Sequence, residues 1–183
     1  MCNQFKILFF IILNINCLYL LSQNDKNLKL VIGGNFSNPH KLIEGTNSHT
    51  DIYDLNAFGN LYLGILHKNR FQLNLSSELN SMNYIFNDYL ISIRYYFIKK
   101  QKLKPFIEIG TILGSYGTGT RDIINQKSIN PEVGFLFNLN KIVDLSLSFS
   151  YQIREIEIKR SNYFESIKMD RSLFKTGLLF KIK

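Results

Sequence analysis

The chain has 183 residues, 45% of them hydrophobic and 14% aromatic, with no Trp. That is one domain's length, with enough apolar material for a core or a membrane band, and it argues against global disorder. The formal net charge of +8 would suit nucleic acid, but the cations sit at segment ends (Lys99, Lys100, Lys102, Lys104) or alternate with apolar residues (Lys175, Lys181, Lys183). No recognition helix or aromatic RNA-binding motif accompanies them, so nucleic acid is not an expected partner.

Residues 1–22 read as a signal peptide. Lys6 supplies a basic start, the apolar run Ile7–Leu13 follows, and polar Ser22-Gln23-Asn24 ends the stretch. Asn14 and Asn16 interrupt the run, which makes it a poor retained anchor. The only cysteines, Cys2 and Cys17, fall inside it. A chain that begins near residue 23 therefore has no disulfide, thiol catalyst or Cys-bearing zinc site. Lipidation at Cys17 is the rival reading, but Asn14-Ile15-Asn16 is a poor acylation signal and apolar residues continue beyond it.

The rest of the chain, residues 23–183, is dominated by a period of two. In order, the outward-reading apolar sets are Leu28, Leu30, Ile32 and Phe36 (with Val31 as an exception); Leu61, Leu63 and Ile65; Phe71, Leu73 and Leu75; and Tyr89, Ile91, Ile93, Tyr95 and Phe97. Then come Ile107, Ile109 and Leu113; Val133, Phe135 and Phe137 (blurred by Leu136); Leu145, Leu147, Phe149, Tyr151 and Ile153; and Phe174, Leu178, Phe180 and Ile182. Asp144 to Arg154 is the clearest stretch, because a helix would scatter its apolar residues around the axis while a strand gives each set its own face. Strands of roughly ten residues are long for soluble sheets and suit a tilted bilayer crossing.

Connections alternate in length. Those after the second, fourth and sixth strands are short, near residues 67–70, 98–104 and 139–143. Those after the first, third, fifth and seventh are long and polar, near 37–55, 77–88, 116–128 and 155–171. Short turns at one end and long loops at the other are the mark of a transmembrane barrel. The expected fold is an all-β, eight-stranded antiparallel up-and-down transmembrane β-barrel after an N-terminal signal peptide.

The other face of each strand is small or polar. Gly33, Gly64, Gly110, Gly134 and Gly177 fall on it or beside it, as do Arg94, Glu108, Glu132, Asp144, Arg154, Lys175 and Lys181. An eight-stranded barrel is just wide enough for side chains to fill it. Arg94, Glu108, Glu132, Asp144, Arg154 and Lys175 are thus expected to form an ion-paired interior network that plugs the lumen. Paired catalytic carboxylates at Glu108 and Glu132 are less favoured than pairing with Arg94, Arg154 or Lys175.

Other chemistry finds little support. His40 and His49 share a loop with Glu44 and Asp51, yet no metal-ligand spacing appears, and His67 sits in a short turn. No His lies mid-strand to serve a Ser–His nucleophile. Gly114 to Thr120 is glycine-rich but lacks the lysine and following helix of a phosphate loop, and reads as an external loop. No cofactor, metal or catalytic residue is expected.

Asp88-Tyr89-Leu90-Ile91-Ser92-Ile93-Arg94-Tyr95-Tyr96-Phe97 resembles the fourth strand of the outer-membrane β-barrel domains of Bacteroidetes-type bacteria, a small porin-like family, with Ser92 where that family often has proline. Lys104-Pro105-Phe106-Ile107-Glu108-Ile109-Gly110 is similar to the family's next strand, and Ser172 to Lys183 to its closing one. The terminus departs from the family pattern, since Lys181-Ile182-Lys183 follows Phe180 where insertion machinery commonly reads a final aromatic. The resemblance implies an outer-membrane protein in contact with lipid and insertion machinery, and with an extracellular or secretion-system partner at its external loops. A structural or binding role leads. A narrow porin or secretion-apparatus component, and a soluble periplasmic ligand-binding barrel, are the alternatives. The last requires Leu145, Leu147 and Phe149 to point inward and Ser146, Ser148 and Ser150 outward.

Overall fold

The structure, a computed structural model, describes residues 27–45, 50–53, 58–81, 85–98, 102–117, 123–159 and 164–182. The expected signal segment, residues 1–22, lies outside them. The described strands are β1 (Leu28–Gly45), β2 (Thr50–Tyr53), β3 (Phe58–His67), β4 (Phe71–Ser81), β5 (Ile85–Tyr96), β6 (Leu103–Gly117), β7 (Ile123–Asn138), β8 (Val143–Lys159) and β9 (Phe164–Ile182).

Neighbours from β3 to β9 pair antiparallel in chain order, and β1 joins β3 on one side and β9 on the other. That last pairing closes an eight-stranded meander barrel and leaves it no long open edge. β2 stands outside the eight. It folds back on β1 over Leu42–Gly45, beyond the level at which β3 ends.

Alternation does what a period of two demands. On β8, Ser146, Ser148, Ser150, Gln152 and Arg154 are buried, while Leu147, Phe149, Tyr151 and Ile153 are exposed. This is the reverse of the arrangement a soluble ligand-binding barrel needs. The same inversion runs around the wall, with Phe36 and Leu61 over 70% exposed (78% and 73%) while Gln72 and Asp88 are fully buried (0%).

The long connections differ from expectation. Much of each is strand: β1 runs to Gly45, β4 to Ser81, β8 to Lys159, and β9 begins at Phe164. Gly114 to Gly117 belongs to β6, and residues 118–122 lie outside the described residues. The sequence reads as loop there because strand that rises beyond an apolar band has no outward apolar face to show; on β8 the apolar Ile156 turns inward. The wall built by β7, β8, β9 and β1 is therefore taller than the opposite side, where β3 and β4 have 10 and 11 residues.

The short turns are tight. Lys68 (φ 49°) and Asn69 (φ 55°) occupy the centre of the β3–β4 turn, the two left-handed positions that match the twist of a hairpin. Arg70 N–H donates to His67 O at 3.0 Å, and Lys29 Nζ donates to Asn69 Oδ1 at 3.0 Å. Asn accepts this conformation readily but Lys carries a Cβ penalty of about 1–2 kcal/mol. Lys68→Gly is therefore expected to stabilise the barrel by roughly 0.5–1 kcal/mol after glycine's own entropy cost. A higher urea midpoint of the folded gel band would register it; an unchanged or lower midpoint would show the turn is not strained. In the β7–β8 turn, Asn140 Oδ1 accepts from the N–H groups of both Ile142 and Val143 at 2.8 Å.

One seam is incomplete. Backbone pairing between β6 and β7 stops at Gly110 opposite Asn130, although both strands continue. Above it, hydroxyls bridge the gap: Ile112 N–H donates to Ser128 Oγ at 2.7 Å, and Thr111 Oγ1 donates to Ser128 O at 2.8 Å. Pro131, which has no N–H, lies beside the break.

Candidate functional site

The lumen is built in layers, starting with a floor at the short-turn end. Val31, Tyr62, Leu66, Tyr96, Phe106, Leu136 and Leu179 form one buried apolar cluster inside the barrel. This adds an apolar floor beneath the expected polar network, and it explains the two residues that broke the alternation. Val31 and Leu136 face inward as parity dictates, and apolar neighbours from other strands meet them there. Tyr62 lies across Gly33, its partner in register, where a Cβ would collide with the ring. Tyr96 and Phe106 meet edge to face with centroids 6.0 Å apart.

Arg94 lies on this floor, its guanidinium carbon 4.1 Å from the Phe106 ring centroid and 5.7 Å from that of Tyr62. Its Nε donates to Glu108 Oε2 at 2.5 Å, and Nη2 stands 3.7 Å from Glu132 Oε1. Lys175 Nζ donates to Glu132 Oε2 at 2.7 Å. Glu108 and Glu132 are directly opposite in the β6–β7 register, where like charges repel, and the two cations between and beside them offset that repulsion. Ser92 Oγ donates to Glu108 Oε1. A relay continues the layer: Tyr96 OH donates to Gln72 Oε1 at 2.5 Å, and Gln72 Nε2 to Asn74 Oδ1 at 2.6 Å.

Towards the long-connection end a second charged layer follows. Arg154 Nη1 donates to Asp88 Oδ2 at 3.1 Å, and Nη2 donates to Ser115 Oγ at 2.7 Å and Gln126 Oε1 at 2.8 Å. Arg171 is paired with Glu78. Asp144 stands apart near the short turns, where its Oδ1 accepts from Lys181 Nζ at 2.9 Å.

Of the six residues named from sequence, the fold thus brings Arg94, Glu108, Glu132 and Lys175 together. It puts Arg154 in the upper layer and Asp144 with Lys181. Glu78, Asp88 and Arg171 were missed because they fell in segments read as loop. Parity would have found them, since Glu78 continues Gln72-x-Asn74-x-Ser76 and Asp88 precedes Leu90-x-Ser92-x-Arg94 on the same face.

The first charged layer encloses a cavity of about 20 Å³ lined by Asn35, Asn60, Tyr62, Asn74, Ser76, Ser92, Arg94, Glu108, Glu132 and Lys175. That is room for a water or so, not for a permeating column. Asn35 Oδ1, Asn60 Oδ1, Tyr62 OH and Arg94 Nη1 have no protein hydrogen-bond partner, so the cavity is chemically suited to water. Among the described residues, no three His, Cys, Asp or Glu side chains come close enough to hold a metal ion. His67 is the last residue of β3, His40 lies in β1, and His49 is outside the described residues.

The outer face is apolar through the middle of the wall. At the short-turn end its rings meet: Phe71 and Tyr95 at 5.0 Å between centroids, Tyr95 and Phe97 at 5.3 Å. Lys127, Glu155 and Lys168 are register neighbours on the tall side of the opposite end.

No protein-family model and no curated protein matches this sequence. Solved structures do. The chain is similar to Neisserial surface protein A (NspA), with a TM-score of 0.51, 13% identity and coverage of 82% of this chain and 96% of that one. It is also similar to outer membrane protein AlkL, solved in DMPC lipid bilayers, with a TM-score of 0.56, 12% identity and coverage of 85% and 90%. The likeness is one of fold, and the fold is the all-β, eight-stranded antiparallel closed barrel of transmembrane outer-membrane proteins.

Proposed function

We propose that this chain is a plugged outer-membrane barrel with a structural or binding role, its specificity residing in the external connections and the tall wall beneath them. In this reading it is exported with residues 1–22 as a cleaved signal peptide, and residues 23–183 form the barrel. It is kin to the Bacteroidetes-type barrels, and is not an enzyme. Its partners are outer-membrane lipid, the barrel-insertion machinery, and an extracellular or secretion-system protein.

The observation that carries the reading is the inversion of the wall. Ile93, Ile107, Val133 and Phe174 are each about half exposed or more, while Arg94, Glu132 and Arg154 are buried. A continuous outward apolar band is unsustainable in water and is what hydrocarbon requires.

The test has two parts. Fractionation is expected to place the protein in the outer membrane, with a gel mobility that changes on boiling. Recovery as a soluble periplasmic protein without that shift would end the reading. Planar bilayers then separate a plugged barrel from a narrow porin, which the polar cavity around Arg94 favours as the second reading. The apolar floor and a cavity of about 20 Å³ predict no resolvable conductance steps. Steady stepwise conductance would put the porin first.

A further inference from the structure

The two rims of the barrel carry different charge. At the long-connection end, outward cations and carboxylates are interleaved, as in Lys127, Glu155 and Lys168. At the short-turn end they are not. Lys68 and Arg70 lie in the β3–β4 turn, Lys102 and Lys104 at the entry to β6, and Lys141 in the β7–β8 turn. Asp144 is the only carboxylate among the described residues of that rim, and it is already bonded to Lys181. An excess of lysine caused by composition alone would fall on both rims.

Placement supplies the second observation. Each of these turns sets a cation directly against an outward apolar residue: Arg70 beside Phe71, Lys102 beside Leu103, Lys141 beside Ile142. Phe71, Leu103 and Ile142 are all exposed, as are the Lys68, Lys102 and Lys141 side chains. The cations therefore follow the edge of the apolar band around the barrel instead of gathering on one side. A row of cations just outside a hydrocarbon-facing belt lies at the depth of lipid phosphates.

From this we infer that the short-turn rim is a binding collar for anionic phospholipid headgroups of the leaflet that surrounds it. Lys68, Arg70, Lys102 and Lys141 are the ligating groups. Attraction between these cations and lipid phosphates fixes the depth of the barrel and selects acidic lipid for its annulus. A ring at headgroup depth, flush with the apolar belt, fits lipid better than an acidic protein or an anionic cell-wall polymer. Either of those would meet the turn tips and have no use for the adjoining belt.

The inference rests on the membrane reading above, and its test keeps the two separable. The folded protein is reconstituted in vesicles of phosphatidylcholine containing a minor share of phosphatidylglycerol, each lipid carrying a reporter. Heat-modifiable mobility first establishes that the barrel has inserted. If it has not, the membrane reading fails and with it the collar. With insertion established, annular enrichment of phosphatidylglycerol by roughly threefold to tenfold is expected at low salt, falling as salt rises. The triple variant Lys68→Gln, Lys102→Gln, Lys141→Gln should still insert and should lose most of that enrichment. Lys127→Gln with Lys168→Gln, at the other rim, should keep it. Equal annular composition for the parent and the triple variant would overturn the collar. So would salt-sensitive retention on purified cell-wall sacculi without any lipid preference, which would assign the cations to the polymer.

Discussion

Arg94→Leu is expected to destabilise the folded barrel by about 3–5 kcal/mol, the range for removing one partner of a buried charge cluster. Arg94 is 2% exposed and lies between Glu108 and the apolar floor. Its loss leaves Glu108 without its closest cation and puts Glu108 and Glu132, opposite in register, in direct repulsion. Lys175 serves only Glu132 at bonding distance. The measurement is a urea titration of the variant in lipid vesicles, followed by the heat-modifiable gel band. The double variant Arg94→Leu, Glu108→Leu discriminates the cause. If the loss comes from an orphaned carboxylate, the double variant should recover much of it, because a buried ion pair can often be replaced by apolar groups at little cost. A single variant within about 1 kcal/mol of the parent would mean that water in the cavity already screens the cluster, and the plug would have to be reconsidered.

Gly134 should not accept a large side chain. A Cβ built there stands 2.5 Å from Leu147 O and Ser148 Cβ and 2.7 Å from Phe106 Cζ. Two of those atoms belong to the backbone or root of β8, and the third is the ring that supports Arg94. None can yield cheaply in a closed barrel, where moving one strand shifts both of its neighbours. Gly134→Ala is expected to cost roughly 1–3 kcal/mol as overpacking. Gly134→Leu should prevent formation of the heat-modifiable band altogether. Normal folding of the leucine variant would mean that β7 and β8 can separate more than their pairing from Glu132 to Asn138 suggests. The incomplete β6–β7 seam above Gly110 would be the first place to look for such slack.

Much of the molecule was legible without coordinates. Period-two alternation from Asp144 to Arg154, repeated around the chain, sets strand identity and decides which side chains face outward, because a strand has only two faces. Alternation of connection lengths sets the meander and the two unlike ends. Parity also placed Arg94, Glu108, Glu132, Asp144, Arg154 and Lys175 on the face that the closed sheet turns inward.

Proximity between side chains on different strands was decided only by the tertiary structure. Sequence does not say that β2 folds back on β1, or that strands continue through segments read as loop, since the outward apolar signal stops where the band stops. Nor can one strand's pattern show which side chains on other strands share its level. Val31 and Leu136 looked like errors in the alternation until Tyr62, Tyr96 and Phe106 met them in the floor. Arg154 could have served Glu108 or Glu132 by charge alone, and strand stagger gave it to Asp88 instead. One strand's period fixes direction, whereas the level at which directions converge depends on the register of all eight strands at once.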